Sequence, residues 1–461
     1  MKKRSLFLTG IGVLLAASSL VGCGSKEKGP AITIWVGGES VKFYKKVCKE
    51  FFAEHPDYEF HASVKGVDTG TISGTITSDS QSAADIYTVA HDNIAKLVAA
   101  GAASPITDDT LKAQIDADNP QAFKDVIYST EGSTSGEKAL YGVPYISQAL
   151  FLYYNKKVVS DEQAKTFEGL KAAAAAKNMK AFTVTGTDGY NFSFTLLARK
   201  ESDKTSTLQL YPEGDRFGNY VQGDDEVAFL RWAHDMFADK NGGMWPSSNW
   251  VLDIQNNKCA ALIGGAWHFD AFAASCDDFG IGLIPTFTLT SSQCEGLSDV
   301  HAGDVYRGGT FADCKVFMMN FHIAETKKQV AQELLTYLSS KEVQKRSFIE
   351  CKNVPAFEGA AEYIESVKNE INEYTYKLGK AQTGMAVYGM AQPFIKGLYN
   401  TFYYSKGMPD YYKNSINANL NLRGIREVLY TMEYMYCMGL AVPDGAMPET
   451  LPQKVVNPNL Q

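Results

Sequence analysis

Long apolar runs are scarce in this 461-residue chain. After Val21 no stretch approaches the ~20 residues of a membrane-spanning helix, which excludes a polytopic membrane protein. Positive charge is short as well. The 44 Lys and Arg stand against 52 Asp and Glu, for a net charge of -8 and a pI ≈ 5.5, whereas binders of a phosphate backbone carry basic faces. No Cys-x-x-Cys pair occurs, so neither a zinc ribbon nor a redox motif is supported. There is no Gly-x-Ser-x-Gly elbow, no His-Glu-x-x-His and no Walker loop. No repeat with a period of about 20–50 residues is found. Against these absences stand 45% hydrophobic and 21% charged residues, enough to bury a large core and too little charge for disorder. Collagen, coiled coil and disulfide miniprotein are excluded. The length allows two or three domains at roughly 100–200 residues each. Aromatics are plentiful, with 25 Tyr, 25 Phe and 5 Trp.

The first segment sets the expected address. Lys2, Lys3 and Arg4 precede a mostly apolar stretch from Leu6 to Val21, and the chain turns polar at Gly24-Ser25-Lys26. A basic start, a short apolar run and a small-residue cleavage site make a secretory signal. Leu20-Val21-Gly22-Cys23 resembles the lipobox of bacterial lipoproteins, which implies that Cys23 is lipidated and becomes the first mature residue. The alternative is an ordinary signal peptide with a chance Cys. The other seven cysteines read mostly as small buried hydrophobes. A Cys276–Cys294 bridge stays open in an exported protein.

Downstream, helical and strand periodicities alternate. Ile32 to Val36 reads as a strand, and Val41, Tyr44, Val47, Cys48, Phe51 and Phe52 recur at helical spacing until His55-Pro56. Tyr58 to Val64 reads as a second strand, which completes a βαβ unit. Asp85 to Val89 is a further strand. The Thr, Ser and Gly-rich stretch from Gly66 to Ser82 reads as a loop by propensity. Strands at Leu150–Tyr154, Phe182–Val184, Ala260–Gly265 and Ile281–Pro285 alternate with helices at 167–177, 227–237 and 324–338. The fold class is α/β, in two lobes.

Several segments, in this order, resemble the maltose/maltodextrin-binding branch of extracellular solute-binding proteins, the receptors of ABC importers. They are Ile34-Trp35-Val36-Gly37-Gly38-Glu39, Ala84-Asp85-Ile86 with Ala90-His91-Asp92-Asn93, Tyr141-Gly142-Val143-Pro144 with Leu152-Tyr153-Tyr154-Asn155-Lys156, and Asp188-Gly189-Tyr190. Ala261-Leu262-Ile263-Gly264-Gly265-Ala266-Trp267, Gly282-Leu283-Ile284-Pro285 and Asn353-Val354-Pro355-Ala356 follow. The resemblance covers Ile32 to about Phe357. It implies a periplasmic-binding-protein-like fold, with a signal peptide at 1–22, an anchor linker at 23–31, a first lobe of 32–146 and 306–372, and a second of 147–305 and 373–461. It places a helix inside the Gly66 to Ser82 stretch, and that reading is preferred to the loop.

Carried over position by position, the resemblance implies a sugar site of Glu39, Asp92, Asn93, Gln148, Asp188, Tyr190 and Trp267, with Phe394 or Tyr399 in place of a C-terminal stacking Trp. Ser40 stands where the best-known relatives have Lys, Val89 where they have Trp, Asn93 where relatives often have Arg, and Gln148 where they often have Glu. A less charged site suits neutral oligosaccharides, above all α-glucan fragments. The chemistry agrees independently, because carboxylates and amides bond sugar hydroxyls and an aromatic ring covers a C–H face. Trp267 by itself also fits a core Trp capping a sheet, and Glu39 fits an acid at a helix N-terminus. His91 reads as a hydrogen-bonded scaffold residue, and Asp116-Ala117-Asp118-Asn119 as a surface turn rather than a calcium loop.

The expectation is a monomeric, lipid-anchored receptor that takes an oligosaccharide to an ABC permease. It needs no cofactor, metal or nucleic acid. The rival is a surface glycoside hydrolase using Glu39, Asp92 and Asp188, since such enzymes need two carboxylates about 5–10 Å apart.

Overall fold

A computed structural model of the chain describes residues 29–129, 138–185, 191, 194, 197–202, 223–239, 243–385 and 387–390. Along them run β1 (Ala31–Gly37), α1 (Val41–Glu54), β2 (His61–Val67), α2 (Ile72–Ser78), β3 (Ile86–Ala90), β4 (Val143–Gln148) and β5 (Phe151–Asn155). There follow β6 (Phe182–Thr185), β7 (Met244–Ser247), β8 (Ala261–Gly264), α3 (Phe269–Ser275), β9 (Phe279–Gly282), β10 (Thr310–Asn320), α4 (Glu325–Leu338), α5 (Lys341–Cys351) and α6 (Glu373–Gly384), with shorter segments between them.

The opening unit follows from its sequence. Ile32, Ile34 and Val36 of β1 point to one buried side, as period-2 alternation requires. Phe43, Tyr44, Val47, Cys48 and Phe51 form the buried stripe of α1. The helix returns the chain so that β1 and β2 pair in parallel, from Ala31 opposite His61 to Gly37 opposite Val67.

The stretch read by propensity as a loop contains α2. Its Ser, Thr and Gly content disfavours a helix in isolation, but Ile76 is buried in the first core and Ile72 packs on it from one turn earlier. Tertiary burial outweighs propensity here. A second correction concerns Asp116 to Asn119. This is no free turn: Asp116 and Asp118 close the helix Asp109–Asp118, Asp118 pairs with Lys341 at 2.9 Å, and Asn119 donates to the Ala356 carbonyl. Among the described residues no group of acids, histidines or cysteines could hold a metal ion. Cys276 and Cys294 are free thiols.

Two sheets carry two cores. In the first, a seven-stranded sheet, the main path runs 387–390, β10, β3, β1, β2, and β4 also pairs with β10. In the second, the order is β7, β6, β8, β5, β9. One core gathers buried side chains from Ile32 to Ile146 and from Cys314 to Val343. The other gathers those from Ala149 to Tyr306, together with Phe348, Val354 and residues between Ile364 and Met385. The chain therefore crosses between them repeatedly, and the crossings are bonded to one another. Leu150 N–H donates to Thr310 Oγ1 at 3.0 Å, Ser147 N–H to the Val354 carbonyl at 2.8 Å, and the Gln382 amide to the Ser147 carbonyl.

Candidate ligand-binding site

β1, β2 and β3 lie side by side and parallel, so their carboxyl ends open along one edge of the sheet, where α/β proteins bind ligands. The turn after each strand supplies an acid: Glu39 after β1, Asp68 after β2 and Asp92 after β3. Antiparallel to β3, β10 sets Lys315 opposite Ala90. On its other flank Asp313 lies opposite Gln148 of β4.

These groups line a cleft of about 570 Å³, together with Thr69, Gly70, Asn93, Thr185, Asn191 and Trp267. Small-molecule pockets run to roughly 300–1,000 Å³. Thr185 and Trp267 belong to the second sheet's side, at the ends of β6 and β8, so the cleft is walled by both units. Trp267 is 41% exposed. Its presentation depends on Gly265, where a Cβ would lie 2.1 Å from the indole ring. Only a residue without a side chain lets the ring fold back over the backbone.

Polar contacts order the floor. His91 is buried, with Nδ1 2.5 Å from Asp313 Oδ1. The Asn93 amide donates to Asp92 Oδ1 at 3.0 Å and to the Ala90 carbonyl at 3.3 Å, so it holds the Asp92 carboxylate in place. Thr185 Oγ1 donates to Asn191 Oδ1 at 3.1 Å. Lys315 Nζ stands 3.9 Å from Glu39 Oε1. Burial draws the Lys315 ammonium below the usual lysine range, while Glu39, Asp313 and Asp68 pull it back up.

Of the residues named from sequence, the structure brings Glu39, Asp92, Asn93, Gln148 and Trp267 to one cleft. Cys23, Asp188, Tyr190, Phe394 and Tyr399 lie outside the described residues. Ser40 is buried and accepts from the Asn353 amide at 3.0 Å. Val89 is core. Sequence reading missed Asp68, Asp313, Lys315 and Asn191. One signal was available: Asp313 and Lys315 alternate with buried Cys314 and Val316 in an otherwise apolar strand, and charges two apart in such a strand share a face.

The profile of the bacterial extracellular solute-binding protein family matches residues 46–374, and the chain belongs to that family. Among its curated relatives is a maltooligosaccharide ABC transporter solute-binding lipoprotein of Streptococcus pneumoniae R6, 24% identical over 405 residues, covering 79% of this chain and 84% of the relative. The galactooligosaccharide-binding protein of Bacillus subtilis 168 is 22% identical over 396 residues, covering 80% and 84%. In fold the chain is similar to an unliganded maltodextrin binding protein of L. casei BL23, with a TM-score of 0.66, 20% identity and coverage of 89% and 99%. It is similar also to the maltose-binding periplasmic protein of Listeria monocytogenes in complex with maltose, with a TM-score of 0.62, 17% identity and coverage of 90% and 99%.

Proposed function

We propose that the chain is the oligosaccharide receptor of an ABC importer, anchored outside the cell by lipid at Cys23, and that its ligand is a neutral malto-oligosaccharide. The observation that carries this reading is the cleft itself. One wall offers the carboxylates of Glu39 and Asp92 with the amide of Gln148, and the other offers the half-exposed indole of Trp267. Carboxylates accept from sugar hydroxyls and amides both donate and accept, while the ring covers an apolar sugar face. Charged hydrogen bonds of this kind contribute about 1.5–3 kcal/mol each, and those of Glu39 and Asp92 add to the amide and ring contacts toward micromolar binding. The names of the pneumococcal relatives support the same ligand class.

The two cores form the two lobes of this receptor, and the bonded crossings at Ser147–Leu150, Thr310 and Val354 are its hinge. Contacts made to both walls favour the closed state over the open one. The family to which the chain belongs is one of solute-binding proteins, and in this reading binding proceeds without chemistry on the sugar.

Calorimetry with maltose, maltotriose, maltotetraose, a galacto-oligosaccharide and a uronate oligomer tests the reading. We expect micromolar or tighter binding of the malto series, no binding of the uronate, and no reducing ends released on prolonged incubation. Binding of the uronate without maltotriose refutes the ligand class, and release of reducing ends refutes the receptor.

A further inference from the structure

Four carboxylates line the cleft, those of Glu39, Asp68, Asp92 and Asp313, and the single cationic side chain among the described lining residues is Lys315. It reaches the cleft from the middle of β10, where burial on both neighbours fixes its stem: the residues flanking it, Cys314 and Val316, are fully buried. Its ammonium has one ion-pair contact among the described residues, Glu39 at 3.9 Å. That is close enough for strong attraction and too long for a hydrogen bond. The donors of Nζ are therefore not consumed by the described residues around it.

We infer that Lys315 is the specificity-determining cation of the site: it donates to a hydroxyl of a neutral sugar and repels a ligand ammonium brought beside its Nζ. This rests on the receptor reading above and deepens it. A largely buried ammonium flanked by acids keeps much of its field, because little water lies between the charges. Removing it leaves four carboxylates facing the ligand with no cationic side chain among the described lining residues. A ligand ammonium would then gain what Lys315 supplied, while a neutral sugar would lose a charged donor. Burial weakens Lys315's hold on its proton, and the same acids counter part of that.

The test uses the mature protein, maltotriose, and a maltotriose derivative in which one primary hydroxyl is replaced by an amine. In Lys315→Met we expect maltotriose affinity to fall tenfold or more, as loss of a charged hydrogen bond does, and the ratio of amine to neutral affinity to rise at least tenfold. Lys315→Arg should keep the wild-type order, because the charge remains. If Lys315→Met does not fold, Lys315→Gln carries the same expectation. A folded variant that binds both ligands as wild type does, or loses both equally, overturns the specificity role. Wild type that binds no neutral trisaccharide overturns the receptor reading itself, and with it this one.

Discussion

In the receptor we propose, Trp267 concentrates the energetics of the site in one side chain. Its ring stands 41% exposed in the open cleft, so a ligand that covers it buries apolar surface that folding has left in water. Full burial of an aromatic ring contributes about 1.5–3 kcal/mol. We expect Trp267→Ala to weaken malto-oligosaccharide binding roughly 10- to 150-fold, with little change in melting temperature. A core Trp gives the reverse, a large melting loss with affinity intact. Measuring both on one sample separates them. At this scale the sequence was partly legible. Glu39, Asp92 and Gln148 were found because they sit in short stretches whose order resembles a family. Asp313 and Lys315 were not, because a charge inside an apolar strand shows only when its partner strands, β3 and β4, are known to leave that face open. Ser40 and Val89 sit at positions where the resemblance expects site residues, but their side chains belong to the framework.

Elements were legible where burial and propensity agree. β1 and α1 combine the right period with the right residues, whereas the strand β10 was not read from the sequence. Propensity alone hides α2, because its Thr, Ser and Gly content contradicts its isoleucines; the resemblance placed a helix there, and buried Ile76 with Ile72 packed beside it holds it. The short junction from β8 into α3 is the element most tied to function. Its glycines admit two rings at once: a Cβ on Gly264 would lie 2.4 Å from His268 Nδ1, and Trp250 packs edge-on against the same imidazole with ring centroids 5.3 Å apart. His268 Nδ1 is sealed from water without a partner among the described residues. Burial accordingly pushes its pKa down to about 3. The unfolded chain binds the proton near the ordinary histidine value, ~6.5, and the folded chain does not. Stability therefore falls as pH drops below about 6.5, by roughly 1–2 kcal/mol at pH 5 from this residue. Urea denaturation at pH 7 and pH 5 should show a smaller acid loss in His268→Gln than in wild type. An equal loss in both would mean that His268 titrates normally in the fold.

At the scale of the whole molecule, the proposed receptor works only if it stays at the membrane while its lobes move. A diacylglyceryl group on Cys23 supplies two acyl chains, and two are needed because a single chain holds a protein only marginally. We expect wild type to label with fatty acid and fractionate with membranes, and Cys23→Ser to do neither. Identical fractionation without label in either would remove the anchor. The two-lobe division was legible from the alternation of elements and the resemblance together. The segment after Phe357 was not, since its tyrosines and apolar residues fit core and cleft alike.

The arrangement of strands also fixes the order in which the two sheets can close as the chain emerges from its N-terminus. All five strands of the second sheet have emerged once Gly282 has, whereas the first sheet waits for β10, whose contact with β3 spans more than two hundred positions of sequence. Closing so long a loop is entropically costly and slow. The sheet begun first thus closes after the sheet begun second. Until β10 arrives, β3 presents an unpaired apolar edge of Ile86, Tyr87 and Val89 to its surroundings, and this interval is when the nascent chain is most exposed to proteases and to aggregation.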